Sequence, residues 1–275
     1  MRLAEKEARL RAALVEMGSV LVAFSGGVDS TLLLKEAHAT LGQKAVAVTA
    51  HSPIYPTEET DGAFSLAEAM GVRLIKLATD QLGDPRFVAN PPDRCYHCKR
   101  ALLAELKRLA GELGLAFIVD GTNVDDLTDH RPGMRAVAEY GVRSPLREAG
   151  LTKEDIRALS RRYGLPTWDK PSMACLASRV PYGVPIAAEV LRRVDEAERY
   201  LRGVGLGLGQ LRVRHHGNLA RIEVPPVDFP KLASPEAARQ VSAALRGLGY
   251  AYVTLDLAGY RTGSLNEVLE EGDRA

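Results

Sequence analysis

The chemistry legible in this chain rests on three cysteines and one glycine-bearing turn. Cys95 and Cys98 are separated by Tyr96 and His97 and stand where a helix is expected to begin. That spacing lets two sulfurs point at one atom, and a helix start lowers the cost of keeping them as thiolates. Alone, the pair fits a redox couple, half of a zinc site or two buried thiols. Cys175 lies far along the chain, in Pro171-Ser172-Met173-Ala174-Cys175-Leu176-Ala177-Ser178-Arg179. Three thiolates suit a [4Fe–4S] cluster with one iron left open. A structural zinc wants a fourth protein ligand, and His97 is crowded by the pair that flanks it.

The turn is Ser25-Gly26-Gly27-Val28-Asp29-Ser30, set between an apolar run and a helical pattern. Glycines there let backbone N–H groups approach a ligand, and the helix start adds free donors and a partial positive charge, which suits a phosphate. Ser25, Ser30 and Thr31 can add hydroxyl donors. The GxxxxGK[ST] spacing of a Walker A loop, with its lysine, is missing. Asp29 could hold a magnesium ion against the phosphates, or equally cap the helix.

The surrounding pattern supplies a scaffold. Apolar runs at 19–24, 44–50, 72–78 and 115–123 alternate with helical stretches at 1–17, 31–42, 56–71 and 96–114. Strands that lack polar alternation and are separated by helices predict an α/β fold, a doubly wound parallel sheet covered on both faces. Thr49-Ala50-His51 and Asp120-Gly121-Thr122-Asn123 fall at strand C-termini, where such sheets bind ligands, so adenine is expected near Thr49, Ala50, Gly121 and Thr122. A helix with a capping signal is expected at 152–164, then a Pro- and Gly-punctuated loop carrying Cys175. Beyond it, helix, two strands about a His-Gly-Asn turn, helix and strand predict a small α+β unit. The expected domains are residues 1–186 and 187–275, with the tail from 266 polar and frayed.

The bulk numbers set limits. With 275 residues the chain can bury a real core. Lys and Arg number 36 against 35 Asp and Glu, and that balance argues against a polynucleotide partner. No stretch approaches the roughly 20 apolar residues that cross a bilayer. The charged N-terminus reads as an amphipathic helix and not a secretory signal, so a cytoplasmic location is expected.

SGGVDS after an apolar strand resembles the signature of the ATP-pyrophosphatase (PP-loop) superfamily, which implies ATP with magnesium and cleavage that leaves AMP on the substrate. Cys95-Tyr96-His97-Cys98-Lys99, DGTNVDD at 120–126, Arg131-Pro132-Gly133, Ser144-Pro145-Leu146, KPSMACLASR at 170–179 and GYRTGSLN at 259–266 together resemble the LarE family, over nearly the whole chain. That resemblance implies an ATP-dependent sulfur transferase of nickel-pincer cofactor biosynthesis, acting on a pyridinium biscarboxylic acid mononucleotide. Each carboxylate is adenylated and then thiolated, with Cys175 as the sulfur-bearing residue. It also implies a three-cysteine, cluster-type member and a homo-oligomer, a hexamer in the family.

The substrate's phosphate and carboxylates need fixed cations. Arg212 and Arg214 alternate on one strand, so both face one side, and the guanidinium fork suits phosphate. They match substrate-phosphate arginines of the family, and Ser178 and Arg179 resemble further anion contacts. Glu223 and Asp228 are open between ligand roles and ordinary carboxylates. His215 and His216 are adjacent on a strand and point to opposite faces, so a hairpin turn reads better than a metal site. Two other enzymatic readings stay open, a tRNA-thiolating PP-loop enzyme and an ammonia-using amide synthetase, and a third is a nucleotide sensor without chemistry.

Overall fold

The computed structural model describes residues 2–128, 133–171 and 173–269. Arg131 and Pro132 of the Arg-Pro-Gly string, Ser172 of the cysteine loop and residues 270–275 of the tail lie outside the described residues. The chain divides into two compact units, Met1–Ser52 with Thr57–Gln81 and Asp93–Met173, and Pro53–Pro56 with Leu82–Pro92 and Ala174–Ala275. Residues 174–186, expected with the first domain, group with the second unit.

The first unit opens with α1 (Leu3–Met17), β1 (Val20–Ala23), α2 (Val28–Leu41), β2 (Ala45–His51), α3 (Thr57–Ala69) and β3 (Leu74–Ala78). After α4 (Pro85–Val88), which belongs to the second unit, come α5 (Arg94–Glu112), β4 (Phe117–Val119), α6 (Gly133–Glu139), α7 (Pro145–Glu148) and α8 (Lys153–Arg162). The four strands are parallel in the order β3-β2-β1-β4. Their side chains explain the absence of polar alternation. Val20 and Val22 of β1 pack with Leu10, Leu14 and Leu33, while Leu21 packs with Val46, Leu103 and Leu106 on the other face. Both faces are therefore roofed by helices, as a doubly wound sheet requires. Because β4 joins β1 on the side away from β2, the strand order reverses between β1 and β4. The turn after β1 and the segment after β4 both leave the sheet at this switch point, where open sheets take ligands.

The second unit continues with α9 (Ala188–Gly203), β5 (Arg212–His216), β6 (Leu219–Glu223), α10 (Phe229–Ala233), α11 (Pro235–Gly247) and β7 (Tyr252–Leu255). β5 and β6 are antiparallel and β7 joins β6 in parallel. Val213, Ala220 and Ile222 turn one face of this sheet onto Ala197, Leu201 and Leu245. The predicted hairpin is present: Gly217 takes a φ of +65° in the turn, His215 is buried beside Tyr250 and His216 is exposed. Part of the expected frayed tail is ordered, as a short 3₁₀ turn over Ser264–Val268.

A strap from earlier in the chain holds the cysteine loop. Leu176 N donates to Ile54 O at 2.7 Å, Ile186 N to Val88 O at 2.9 Å and Gly183 N to Asn90 O at 3.0 Å. Asn90 is fully buried with a φ of +56°, and its Nδ2 donates to Pro181 O at 2.7 Å and Val184 O at 2.9 Å. Among the described residues no helix is long and apolar enough to cross a membrane.

Candidate nucleotide and thiol sites

In the first unit, the turn after β1 passes directly into α2. Val28, Asp29 and Ser30 form its first helical turn, and Gly27 is the N-cap with no side-chain cap. Asp29 therefore does not cap the helix. Its Oδ1 accepts from Asn123 Nδ2 at 3.2 Å and its Oδ2 from Lys153 Nζ at 2.5 Å. A helix start left without a side-chain cap keeps amide donors and the positive end of its dipole for a ligand. The turn is braced internally: Ser30 Oγ lies 3.1 Å from Ser25 Oγ and donates to Gly27 O at 3.2 Å. Gly26 needs its glycine twice over, for a φ of +70° and because a Cβ there would stand 2.9 Å from Ala63 Cβ. Thr31 Oγ1 is buried with no partner among the described residues.

The segment after β4 closes on the same turn. A Cβ on Gly121 would meet Ser30 N at 3.0 Å and Asp29 Cβ at 3.2 Å. Asp120 is fixed beneath it by Ser144 Oγ at 2.8 Å, while Thr122 Oγ1 donates to Asp120 Oδ2 at 2.9 Å. Thr49, at the end of β2, is buried and donates to Phe24 O at 2.8 Å, with Ala50 half-buried beside it. Ser25 to Ser30, Thr49, Ala50, Gly121 and Thr122 are thus gathered at the C-terminal ends of β1, β2 and β4. Two lysines to which the sequence pattern assigns no role join them. Lys153 is the first residue of α8, and Lys170 Nζ donates to Gly26 O at 3.1 Å and pairs with Glu59 at 3.0 Å. Lys170 opens the KPSMACLASR string, but no local pattern links either lysine to the turn, since each meets its partners only through the tertiary fold.

Cys95 and Cys98 occupy the first two turns of α5, one turn apart and so on one helix face, with Cys95 exposed and Cys98 half-buried. Lys99, in the same string, brings its Nζ to 3.9 Å from Asp120.

In the second unit, Cys175 precedes a 3₁₀ turn at Leu176–Arg179, half-buried and free. Arg179, expected to contact an anion, is instead fully buried and occupied with the protein. Its Nε and Nη2 bind both oxygens of Glu198 at 2.8 and 2.9 Å, and Nη1 donates to Ala174 O at 2.6 Å, Cys175 O at 2.9 Å and Ser178 Oγ at 3.0 Å. Burial opposes this guanidinium's charge, yet Glu198 holds its pKa above the ordinary value. Arg179 thus fixes the backbone on either side of the thiol.

Arg212 and Arg214 share one face of β5, as alternation requires, and that face is buried instead of solvated. The register sets Arg214 opposite Arg221 and Arg212 opposite Glu223. Arg214 donates to Ser178 O at 2.7 Å through Nη1, and to Glu223 at 2.8 Å and Ser264 Oγ at 2.7 Å through Nη2. The Nε atoms of Arg214 and Arg221 are buried with no partner among the described residues. Arg212 lies 5.4 Å from the Tyr260 ring, and burial, with Arg179 nearby, pushes its pKa down to about 10. A buried cation so disfavoured, beside unpartnered N–H groups, favours an anion. Glu223 is spent on Arg214 and Arg221, and Asp228 on Lys231 and Gly209 N.

No family model matches the chain. It is 45% identical over 97% of its length to an uncharacterized protein of Synechocystis sp., 99% of which is covered. It is 41% identical, over 99% of its length and 98% of the relative's, to the pyridinium-3,5-bisthiocarboxylic acid mononucleotide synthase of Lactiplantibacillus plantarum. The chain belongs to this synthase family. A more distant likeness, 28% over 58% of the chain and 55% of the relative, links it to a component of the glutamine-hydrolyzing GMP synthase of Archaeoglobus fulgidus. As a member of the synthase family it is an ATP-using enzyme.

Two groups that the family resemblance implies can be compared with the donors present. Magnesium is a hard cation that keeps phosphate and water oxygens as ligands, and Asp29, one partly exposed carboxylate in the nucleotide turn, fits as a single protein ligand. For a cluster, Cys95 and Cys98 offer two thiols on one face of the first two turns of a helix. Among the described residues, no group of three or more His, Cys, Asp and Glu side chains is gathered to hold a metal ion.

Proposed function

We propose that this chain is the ATP-dependent sulfur transferase that converts the carboxylates of a pyridinium biscarboxylic acid mononucleotide into thiocarboxylates. The observation that supports it most directly is the coupling inside the second unit. Arg214, on the buried cationic face, grips Ser178 O, and Ser178 belongs to the turn whose first carbonyls, at Ala174 and Cys175, Arg179 holds. A substrate phosphate seated on Arg212 and Arg214 is thereby tied to the loop that bears the thiol.

A carboxylate is a poor electrophile, so its oxygen first attacks the α-phosphorus of ATP, and pyrophosphate leaves. The amide donors of Gly26 to Ser30 hold the phosphates, and Asp29 would hold magnesium, which neutralises the departing charge. The Cys175 sulfur then attacks the activated acyl carbon and expels AMP, giving a thioester to the enzyme. Loss of the Cα proton with cleavage of the Cβ–S bond releases the thiocarboxylate and leaves dehydroalanine at position 175. Cys175 is the sulfur-bearing residue, and Arg179 and Ser178 keep its backbone in place. A [4Fe–4S] cluster, with Cys95 and Cys98 among the thiols that would hold it, would supply sulfide in place of the side chain's own sulfur. The buried arginines bind the mononucleotide's phosphate, and the enzyme works as a homo-oligomer in the cytoplasm.

The test uses anaerobically purified protein with ATP and the dicarboxylate mononucleotide. AMP, pyrophosphate and a product with oxygen replaced by sulfur are expected. Cys175→Ala should still release pyrophosphate but form no sulfur-bearing product. Pyrophosphate release that needs bulk tRNA instead, or a triple cysteine-to-serine variant with full turnover, would overturn the reading. An anaerobic iron and sulfide assay with an absorption spectrum decides the cluster.

A further inference from the structure

The nucleotide turn has no cation of its own. A Walker A loop carries a lysine that reaches the β- and γ-phosphates, whereas this turn offers amides, two hydroxyls and the negatively charged Asp29. Leaving pyrophosphate concentrates negative charge on this turn, so a fixed cation close to it would stabilise the departure. Two ammonium groups touch the turn from outside.

Lys170 is the better placed. Its backbone is anchored, because Arg157 of α8 donates to Trp168 O at 2.7 Å and to Lys170 O at 3.0 Å. Its Nζ reaches Gly26 O at 3.1 Å and Glu59 of α3 at 3.0 Å, and the side chain is one quarter exposed. An ammonium has three N–H donors, and these two partners among the described residues leave one for a ligand. Lys153 is fixed as the first residue of α8, where its own N donates to Asp125 Oδ2 at 2.7 Å, and its Nζ rests on Asp29 at 2.5 Å. Each lysine is thus docked on the turn by an oxygen of the turn itself, and both are partly open to solvent.

We propose that Lys170, assisted by Lys153, binds the pyrophosphate end of the nucleotide and takes the place of the lysine this loop lacks. The assignment rests on the reading of the turn as an ATP site. It has a further consequence written in the chain order. Lys170 opens the same KPSMACLASR segment that carries Cys175, so one strip of sequence supplies a cation for the leaving group and then the thiol.

The experiment measures inorganic pyrophosphate and AMP binding to the full-length protein by calorimetry, for wild type, Lys170→Gln, Lys170→Arg and Lys153→Gln. Removing a charge-assisted hydrogen bond at a partly exposed site predicts a fall in pyrophosphate affinity of about 10- to 100-fold for Lys170→Gln. Lys153→Gln should show a smaller fall, and Lys170→Arg should recover most of the loss. AMP affinity should change by less than about threefold in all of them, with unaltered circular dichroism. If pyrophosphate affinity is unchanged in Lys170→Gln, the assignment is wrong. If AMP and pyrophosphate weaken together, Lys170 is only a staple for the turn. If wild type binds AMP but the lysine variants behave like it, the nucleotide site stands without the lysines. If wild type binds neither ligand, the nucleotide reading and this assignment fall together.

Discussion

Replacing Glu198 by glutamine removes one negative charge from a place that solvent cannot reach. Glu198 is 1% exposed and accepts from Arg179 Nε at 2.8 Å and Nη2 at 2.9 Å, Arg202 Nη2 at 2.8 Å and Val213 N at 3.0 Å. Glutamine keeps the shape but turns one acceptor into an N–H donor, facing guanidinium groups. Arg179, itself 0% exposed, then loses its buried counter-charge. Breaking one side of a buried pair costs about 3–5 kcal/mol. At roughly 2–4 °C per kcal/mol for a chain of this size, the melting temperature should fall by about 6–20 °C. The pH dependence has a definite sign. Burial raises the pKa of Glu198, but Arg179 outweighs it and the net position is below the ordinary value. The stabilisation is therefore complete above the unfolded-state pKa and is lost as pH falls through the folded one. Wild type and Glu198→Gln should differ widely near neutrality and converge in acid, as read by circular dichroism melts across that range. Parallel melting curves at every pH, or a neutral-pH gap under about 2 °C, would refute the claim that this pair braces the thiol loop. Sulfur transfer should drop in the variant while AMP binding is retained.

Two further predictions address the other contacts. Gly121→Ala places a methyl group 3.0 Å from Ser30 N and forces the two loops at the switch point apart. A cost of about 1–3 kcal/mol in stability is expected, with weaker ATP binding in an equilibrium titration and no change in phosphate binding at the arginine face. Arg214→Gln removes the link from that face to Ser178 O and leaves Glu223 short of a partner. Binding of the mononucleotide should weaken by about 10- to 100-fold, measured by calorimetry, while ATP binding is unaffected.

The sheet was legible because each strand is apolar on both sides, a pattern that only a doubly covered sheet explains, and Leu21 and Val22 indeed serve opposite cores. The glycine turn was legible for a related reason, since its residue types serve little purpose except close approach. Short helices such as Pro85–Val88, Gly133–Glu139 and Pro145–Glu148 span too few turns to show a period. Alternation placed Arg212 and Arg214 on a common face, but it carries no information on whether that face is covered, and here it is buried. Arg179 looks like an anion contact in the sequence because its true partner, Glu198, lies on a later amphipathic helix where an acidic residue would ordinarily face water. Lys153 and Lys170 show in the sequence only as a helix start and a motif residue, and the tertiary fold alone brings them to Asp29 and Gly26.

Asn90 ties two separate stretches of chain into one object. Its amide hydrogens face Pro181 O and Val184 O, its own carbonyl receives Gly183 N, and its backbone sits in a region that few side chains tolerate. Aspartate would aim lone pairs at those carbonyls, and glycine would leave them without a donor. The thiol-bearing segment is therefore not a portable cassette. Anyone grafting it onto another scaffold has to transplant the distant strap as well, or accept a reactive group with no fixed address.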